Sequence, residues 1–263
     1  MVRVCDVLAA VERLAPPEFK MEWDNVGLLC GEKNAEVHKV LVALDPFLTV
    51  CEEAEEIGAD LIVTHHPLIF TAPRSVTDGD SVGRSILFLA RHRIAAINAH
   101  TNLDQSPGGV NDRLAEVLGL QNVTVLEPEG TDRQGRPWGL LRAGDRPEST
   151  AAELAAFVKE TLRCSGLRYV DGGRPITRVA VGGGACADAV RAVSDVGCDA
   201  LVTADAKYNQ FWDAKDLGLT LIDAGHFETE NPVCDVLAAH LRAEFPGLPV
   251  VLSEKHGDPV RFL

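Results

Sequence analysis

Apolar and polar positions follow two periods along this chain. Short aliphatic runs, rich in β-branched residues, at 40–44, 61–64, 94–99, 178–181 and 219–223 read as buried strands. Stretches with helical spacing lie between or beside them, at 49–57, 85–92, 110–118 and 150–162. A further helix follows the last strand and carries Val233, Leu237 and Leu241. Residues 1–16 alternate apolar positions with Arg3, Asp6, Glu12 and Arg13, which predicts an amphipathic helix and not a signal peptide. Strands alternating with amphipathic helices predict βαβ units. The expected fold class is therefore α/β, with mixed or largely parallel sheets flanked by helices.

The pattern breaks between 127 and 139, where Glu127-Pro128-Glu129-Gly130 and Gln134-Gly135-Arg136-Pro137 are turn-rich. This predicts two domains: 1–127 plus 219–263 as a metal-binding α/β domain, and 128–218 as a second, related α/β domain. An internal repeat supports the relation. Gly58-Ala59-Asp60-Leu61-Ile62-Val63-Thr64 matches Gly197-Cys198-Asp199-Ala200-Leu201-Val202-Thr203. Ile97-Asn98-Ala99-His100 also matches Ile222-Asp223-Ala224-Gly225-His226 with one insertion.

Composition narrows the functional classes. Apolar residues make up 46% of the 263 residues and aromatics only 5%, so the core must be aliphatic. A net charge of −14 and the lack of a Lys/Arg cluster disfavour nucleic-acid binding. The seven cysteines form no CxxC pair, which points to reduced thiols instead of a disulfide framework or a thiolate zinc site. No apolar run reaches the length of a membrane span, and the expected location is cytoplasmic.

Three polar clusters leave predicted strands, where open α/β sheets place their ligands. Thr64-His65-His66-Pro67 offers two imidazoles, as metal ligands or as a packed, hydrogen-bonded pair. Asn98 to Asp104 offers Asp104 and His100, as ligands or as a turn capping the next helix. Gly225 to Glu230 offers His226 and Glu230, against the alternative of an acidic helix N-terminus, which suits Glu228 better. Together, His65, His66, Asp104, His226 and Glu230 exceed the three ligands of an open catalytic zinc and suit two divalent metal ions (zinc, iron, manganese or cobalt). The Gly182-Gly183-Gly184 run lacks the rest of a phosphate loop and reads as a tight strand-to-helix turn. His38, His92, His240 and His256 receive no role.

These motifs, with Trp23-Asp24-Asn25-Val26-Gly27-Leu28, appear in an order that resembles the NIF3-like family, whose members are often labelled GTP cyclohydrolase 1 type 2 homologs. The resemblance implies two similar α/β domains of the NIF3-like type, a dinuclear metal site and a toroidal homohexamer. By motif position the ligands fall on His65, His66, Asp104, His226 and Glu230, with His100 beside them. The chain is too short for the extra domain that some members insert. One segment departs from the family pattern. Thr203-Ala204-Asp205-Ala206-Lys207-Tyr208-Asn209 lacks the usual Gly and His, which removes the basis for giving it a substrate role. The expected function is a metal-dependent hydrolase of a nucleotide or other small molecule. The alternative is a non-catalytic, ring-forming metal scaffold, carrier or regulatory protein.

Overall fold

The computed structural model describes residues 1–263 and divides into two compact units. The first unit comprises Met1–Ser106 and Val233–Gly257, and the second Pro107–Pro232 and Asp258–Leu263.

In the first unit, five strands stand in the order Val250–Leu252, Val40–Ala43, Leu61–Thr64, Ala95–Asn98 and Gly27–Cys30. The first four are parallel and the last is antiparallel. The strands Val40–Ala43, Leu61–Thr64 and Ala95–Asn98 are buried along their whole length and apolar except at the exit residues Thr64 and Asn98. Leu41, Ala43, Ile62 and Ala96 pack against Val50, Cys51 and Ala54 of the helix Leu48–Glu56 and Leu89 of the helix Ser81–His92. That second helix starts four residues before the apolar pattern suggests, because Asp80 caps it by accepting from the Gly83 amide at 2.7 Å. At the N-terminus, Val2–Arg3 pairs with Glu36–Val37, and the helix spans Val4–Leu14. The closing segment is clasped by buried Glu53, which accepts from the Glu254 amide at 2.7 Å and from the Ser253 hydroxyl.

The second unit is built on a six-stranded mixed sheet, in the order Arg168–Val170, Thr220–Asp223, Ala200–Thr203, Ile176–Val181, Leu141–Ser149 and Gln121–Leu126. Its three inner strands, Thr220–Asp223, Ala200–Thr203 and Ile176–Val181, are parallel, and the others pair antiparallel. Alternate residues feed opposite faces. Val179, Val181 and Val202 meet Leu154 and Val158 of the helix Ala151–Thr161, while Ala180 and Leu201 meet Val190 and Val193. A capping box starts the helix Ala151–Thr161: Glu153 accepts from the Thr150 amide at 2.8 Å, and the Glu153 amide donates to the Thr150 hydroxyl at 3.3 Å.

The division differs from the sequence expectation at both ends. Residues 107–127, 219–232 and 258–263 belong to the second unit, not the first. Strand pairing decides it: Gln121–Leu126 ladders onto Leu141–Ser149, and Thr220–Asp223 onto Ala200–Thr203. The turn-rich stretch is no linker but a small hairpin, Gly130–Thr131 with Pro137–Trp138. The chain re-enters the first unit only at Val233.

The internal repeat has a physical basis. Asp60 accepts from the His38 amide at 2.6 Å and the Lys39 amide at 3.2 Å, and its own amide donates to the Lys39 carbonyl at 3.0 Å. Asp199 does the same with the amides of Thr177 (2.9 Å) and Arg178 (3.0 Å) and with the Arg178 carbonyl (2.8 Å). Each aspartate sets the register of a central parallel strand against its neighbour. Past the strands' far ends, the Ala99 amide donates to the Thr64 carbonyl at 3.1 Å and the Ala224 amide to the Thr203 carbonyl at 2.8 Å.

All seven cysteines are free thiols, and burial pushes Cys51 up to about 11 and Cys164 up to about 12, so both stay protonated and inert. The core is aliphatic, with Phe19 its one fully enclosed aromatic. No helix is long and apolar enough to cross a membrane.

Arg142 is the largest buried side chain, 1% exposed, and its guanidinium donates to both carboxylate oxygens of Asp112, at 2.6 and 3.2 Å, and to the Gly139 carbonyl at 2.7 Å. Asp112→Ala removes the bidentate carboxylate from that buried charge and is expected to cost about 2–3 kcal/mol. Adding Arg142→Met to Asp112→Ala should recover part of the loss. Denaturant titration of the three variants measures it, and an unchanged midpoint in Asp112→Ala would contradict the assignment.

Candidate metal centre

Each unit gathers histidine and carboxylate side chains just beyond the C-terminal ends of its parallel strands. In the first unit, Leu61–Thr64 runs directly into His65-His66-Pro67. Adjacent residues of a regular strand would face opposite ways. Here the backbone turns, with the His66 amide donating to the Leu44 carbonyl at 2.9 Å and the Thr64 hydroxyl to the His66 carbonyl at 2.7 Å. The two rings therefore come to lie side by side, with centroids 5.0 Å apart.

His100 follows the strand Ala95–Asn98, and the short helix Thr101–Gln105 then presents Asp104. One ring nitrogen each of His65, His66 and His100 lies within 4.8 Å of the others, an arrangement that could hold a metal ion. The Nε2 atom of His65 stands 3.5 Å from Asp104 Oδ1. His65 and Asp104 are both buried.

The second unit contributes His226 and Glu230, at either end of the five-residue helix His226–Glu230 that follows Thr220–Asp223. His226 Nε2 is 3.0 Å from Glu230 Oε2. The glycine run at 182–184 lies against this pair and does more than turn the chain. A Cβ on Gly184, whose φ is +63°, would stand 2.1 Å from Glu230 Oε1 and 3.1 Å from His226 Nε2, and one on Gly183 would stand 3.2 Å from Glu230 Cγ. The Gly184 amide also donates to the Thr229 hydroxyl at 3.0 Å, which anchors the loop one residue before Glu230. Glu228 points elsewhere. Burial raises its pKa, and its carboxylate lies over Gly225, where a Cβ would be 2.2 Å from Oε2.

The same detail recurs at each of the four histidines. His65 Nδ1 is 2.9 Å from the Ala99 carbonyl, His66 Nδ1 is 2.6 Å from Asp45 Oδ1, His100 Nδ1 is 2.8 Å from Asp24 Oδ1, and His226 Nδ1 is 2.7 Å from Asp205 Oδ2. A carbonyl or carboxylate oxygen only accepts, so Nδ1 carries a proton in each ring, and in the neutral ring Nε2 is the electron-pair donor. Burial opposes ionisation of Asp24, but hydrogen bonds from His100 and Thr101 outweigh it and hold its carboxyl far below the usual carboxylate range. With Nε2 a lone-pair donor, its 3.0 Å approach to the Glu230 carboxylate sets two electron-rich atoms together, which a cation between them would relieve. Imidazole nitrogen plus carboxylate oxygen is the donor chemistry of divalent zinc, iron, manganese and cobalt, so these residues fit such an ion.

The sequence reading named the histidines and carboxylates proposed as ligands but not the acceptors behind the rings. Asp45 and Asp205 each stand two residues past a strand end, and Asp24 sits in the Trp23-Asp24-Asn25 motif, so position was the available signal. Asp205 also adopts a left-handed φ of +52°. The segment that departs from the family pattern thus orients a histidine.

The fit of the glycine loop can be measured. Gly184→Ala adds both the strain of a left-handed φ and the collision with Glu230, whereas Gly197→Ala, at φ +79° with nothing within 4 Å of its Cβ, adds only the strain. Gly197→Ala is expected to cost about 1 kcal/mol, and Gly184→Ala about 1–3 kcal/mol more. Equal losses in thermal unfolding would show that the loop does not press on Glu230.

Comparison with known proteins places this geometry in a family. Residues 2–259 match the model of Duf34/NIF3 (NGG1p interacting factor 3). A Clostridium perfringens protein named GTP cyclohydrolase 1 type 2 homolog is 32% identical over 265 residues, covering 100% of both chains. A Streptomyces coelicolor protein of the same name is 37% identical over 266 residues, 99% of this chain and 90% of its own. Among solved structures, the Staphylococcus aureus protein SA1388 superposes with a TM-score of 0.91 at 28% identity, over 100% of this chain and 99% of its own. A Bacillus cereus protein related to NIF3 reaches 0.92 at 26% identity with the same coverage. The chain, with its mixed α/β sheets and its strand-end histidines, belongs to the Duf34/NIF3 family.

Proposed function

We propose that His65, His66, Asp104, His226 and Glu230 act as one ligand set for two divalent metal ions, and that the protein is a metal-dependent hydrolase of a nucleotide or other small molecule. The observation that supports this reading is the uniform hydrogen bonding of the rings: every strand-end histidine commits Nδ1 to a fixed oxygen acceptor, which leaves Nε2 as the nitrogen for a ligand. Two bound divalent ions would lower the pKa of a water and polarise a substrate oxygen. Asp104 and Glu230 supply two negative charges against the four positive charges of such a pair. The surplus favours an anionic substrate. Asp45, Asp24 and Asp205 hold the rings, and the glycine loop holds Glu230. The printed name of the relatives, GTP cyclohydrolase 1 type 2 homolog, makes GTP the first substrate to try. The family likeness further proposes a homohexamer.

Metal-replete protein should carry close to two ions per chain by elemental analysis, and light scattering should give the mass of six chains. Asp104→Ala should lose most of the metal. Asp45→Ala, which touches only the outer nitrogen of His66, should weaken binding about 10–100-fold. Wild-type protein that binds no metal under these conditions would end this reading.

Hydrolysis should require the metal, and Glu230→Gln should lower turnover by on the order of 10²-fold while leaving the unfolding midpoint nearly unchanged. Equal turnover in stripped and loaded protein would exclude the mechanism. Full metal occupancy without turnover of GTP, other nucleotides or phosphoesters would select the scaffold reading instead.

A further inference from the structure

Two large aromatic side chains of the first unit lie open beside the histidines. Trp23 is 59% exposed and Phe70 56%, although both sit in otherwise well-buttressed loops. Their ring centroids are 5.6 Å apart, and each lies edge-on to His100, at 6.2 Å for Trp23 and 6.1 Å for Phe70. With Thr71 and Ala72 they line a cavity of about 530 Å³, within the range of small-molecule sites.

The loops that carry them are fixed by the polar residues around them. Asp24 accepts from His100 Nδ1 at 2.8 Å and from the Thr101 amide at 3.0 Å. Asn25 donates to the Ile69 carbonyl at 2.6 Å, tying the Trp23 loop to the Phe70 loop, and Asn98 donates to the Asn25 carbonyl at 3.1 Å. Lys20 donates to the Asp24 carbonyl at 2.9 Å. Asp24 and Asn25 thus have structural work to do. Trp23, in the same motif, is left more than half exposed. An exposed indole beside an exposed phenyl leaves apolar surface in water that folding does not require there.

We propose that Trp23 and Phe70 form a stacking platform for a planar heteroaromatic ring of the nucleobase kind, the part of the substrate held beside His100. The inference rests on the proposed function, whose site it shares, and names the ring as the recognised part. A π-face is the partner that an exposed indole and phenyl select, since offset or edge-to-face contact with another ring adds to plain apolar burial. The cavity suits a ring of one or two cycles rather than a protein surface, because a stable protein interface needs far more area than four residues line.

Metal-loaded full-length protein separates the claims. GTP and inorganic triphosphate are titrated calorimetrically into wild type, Trp23→Ala, Trp23→Phe and Phe70→Ala, with metal content read for each. Triphosphate carries the anionic chain without the ring. Trp23→Ala and Phe70→Ala should each weaken GTP by roughly tenfold or more. Trp23→Phe should stay within about threefold, and triphosphate affinity should hold across all four. The proposal is overturned if wild type binds no GTP, if GTP affinity ignores both alanine variants, or if triphosphate affinity falls in parallel. It is also overturned if Trp23→Ala changes the particle mass, which would make the pair a seat for a second copy. A protein that keeps its metal but ignores Trp23 removes only the stacking platform, whereas one that takes up no metal removes the proposed hydrolase.

Discussion

A hydrogen bond to one nitrogen of an imidazole fixes which way the ring faces and which nitrogen it can present, and the strand-end loops here are arranged around that constraint. Four rings have an acceptor standing at Nδ1 within 2.6–2.9 Å. An acceptor a residue out of register would release or flip its ring. The parallel sheets meet this demand because register is pinned at both ends of the central strands. Asp60 and Asp199 clasp the incoming ends, and the Ala99 and Ala224 amides lock the outgoing ones. The Ala99 locked to Thr64 is the same residue whose carbonyl holds His65. Backbone register and ring orientation are therefore one structural fact.

The layer of candidate ligands was named from the sequence. Histidines and carboxylates just after apolar β-branched runs are conspicuous, and His65, His66, Asp104, His226 and Glu230 all stand at such exits. The layer behind it was hidden, because Asp24 reaches His100 across 76 positions and Asp45 reaches His66 across 21, and local pattern carries no such information. The buried central strands read from the sequence were placed to within about two residues, since a buried strand is a short apolar run. The strands Gly27–Cys30, Gln121–Leu126, Leu141–Ser149, Arg168–Val170 and Val250–Leu252 were missed, most of them being partly exposed or polar. The domain boundary was not legible. Turn residues announce a reversal of the chain but not whether the reversed strand pairs back, and at 130–138 it does. The glycine run was legible as a turn, yet its close approach to Glu230 belongs to tertiary packing.

The chain's acidity also acquires a partial explanation. A net charge of −14 suggests solvated surface, yet Asp24 and Asp104 are buried in the first unit and Glu230 in the second. Asp60, Asp199 and Glu53 accept backbone amides that fix strand register and the closing segment. Several acidic groups thus bind protein donors or line the site, and the bare charge count overstates what the surface presents to solvent.

The first unit is discontinuous in the chain, and this bears on the order in which a ribosome can finish the molecule. Residues 107–232 emerge before the strand Val250–Leu252 exists, so Val40–Ala43 has only one ladder partner while an entire second unit is translated. During that interval its open side is an unpaired, wholly apolar edge, the kind of surface that templates association with other nascent chains. The strand Val250–Leu252 and the Glu53 clasp behind it close that edge only after the second unit's residues 107–232 have been made.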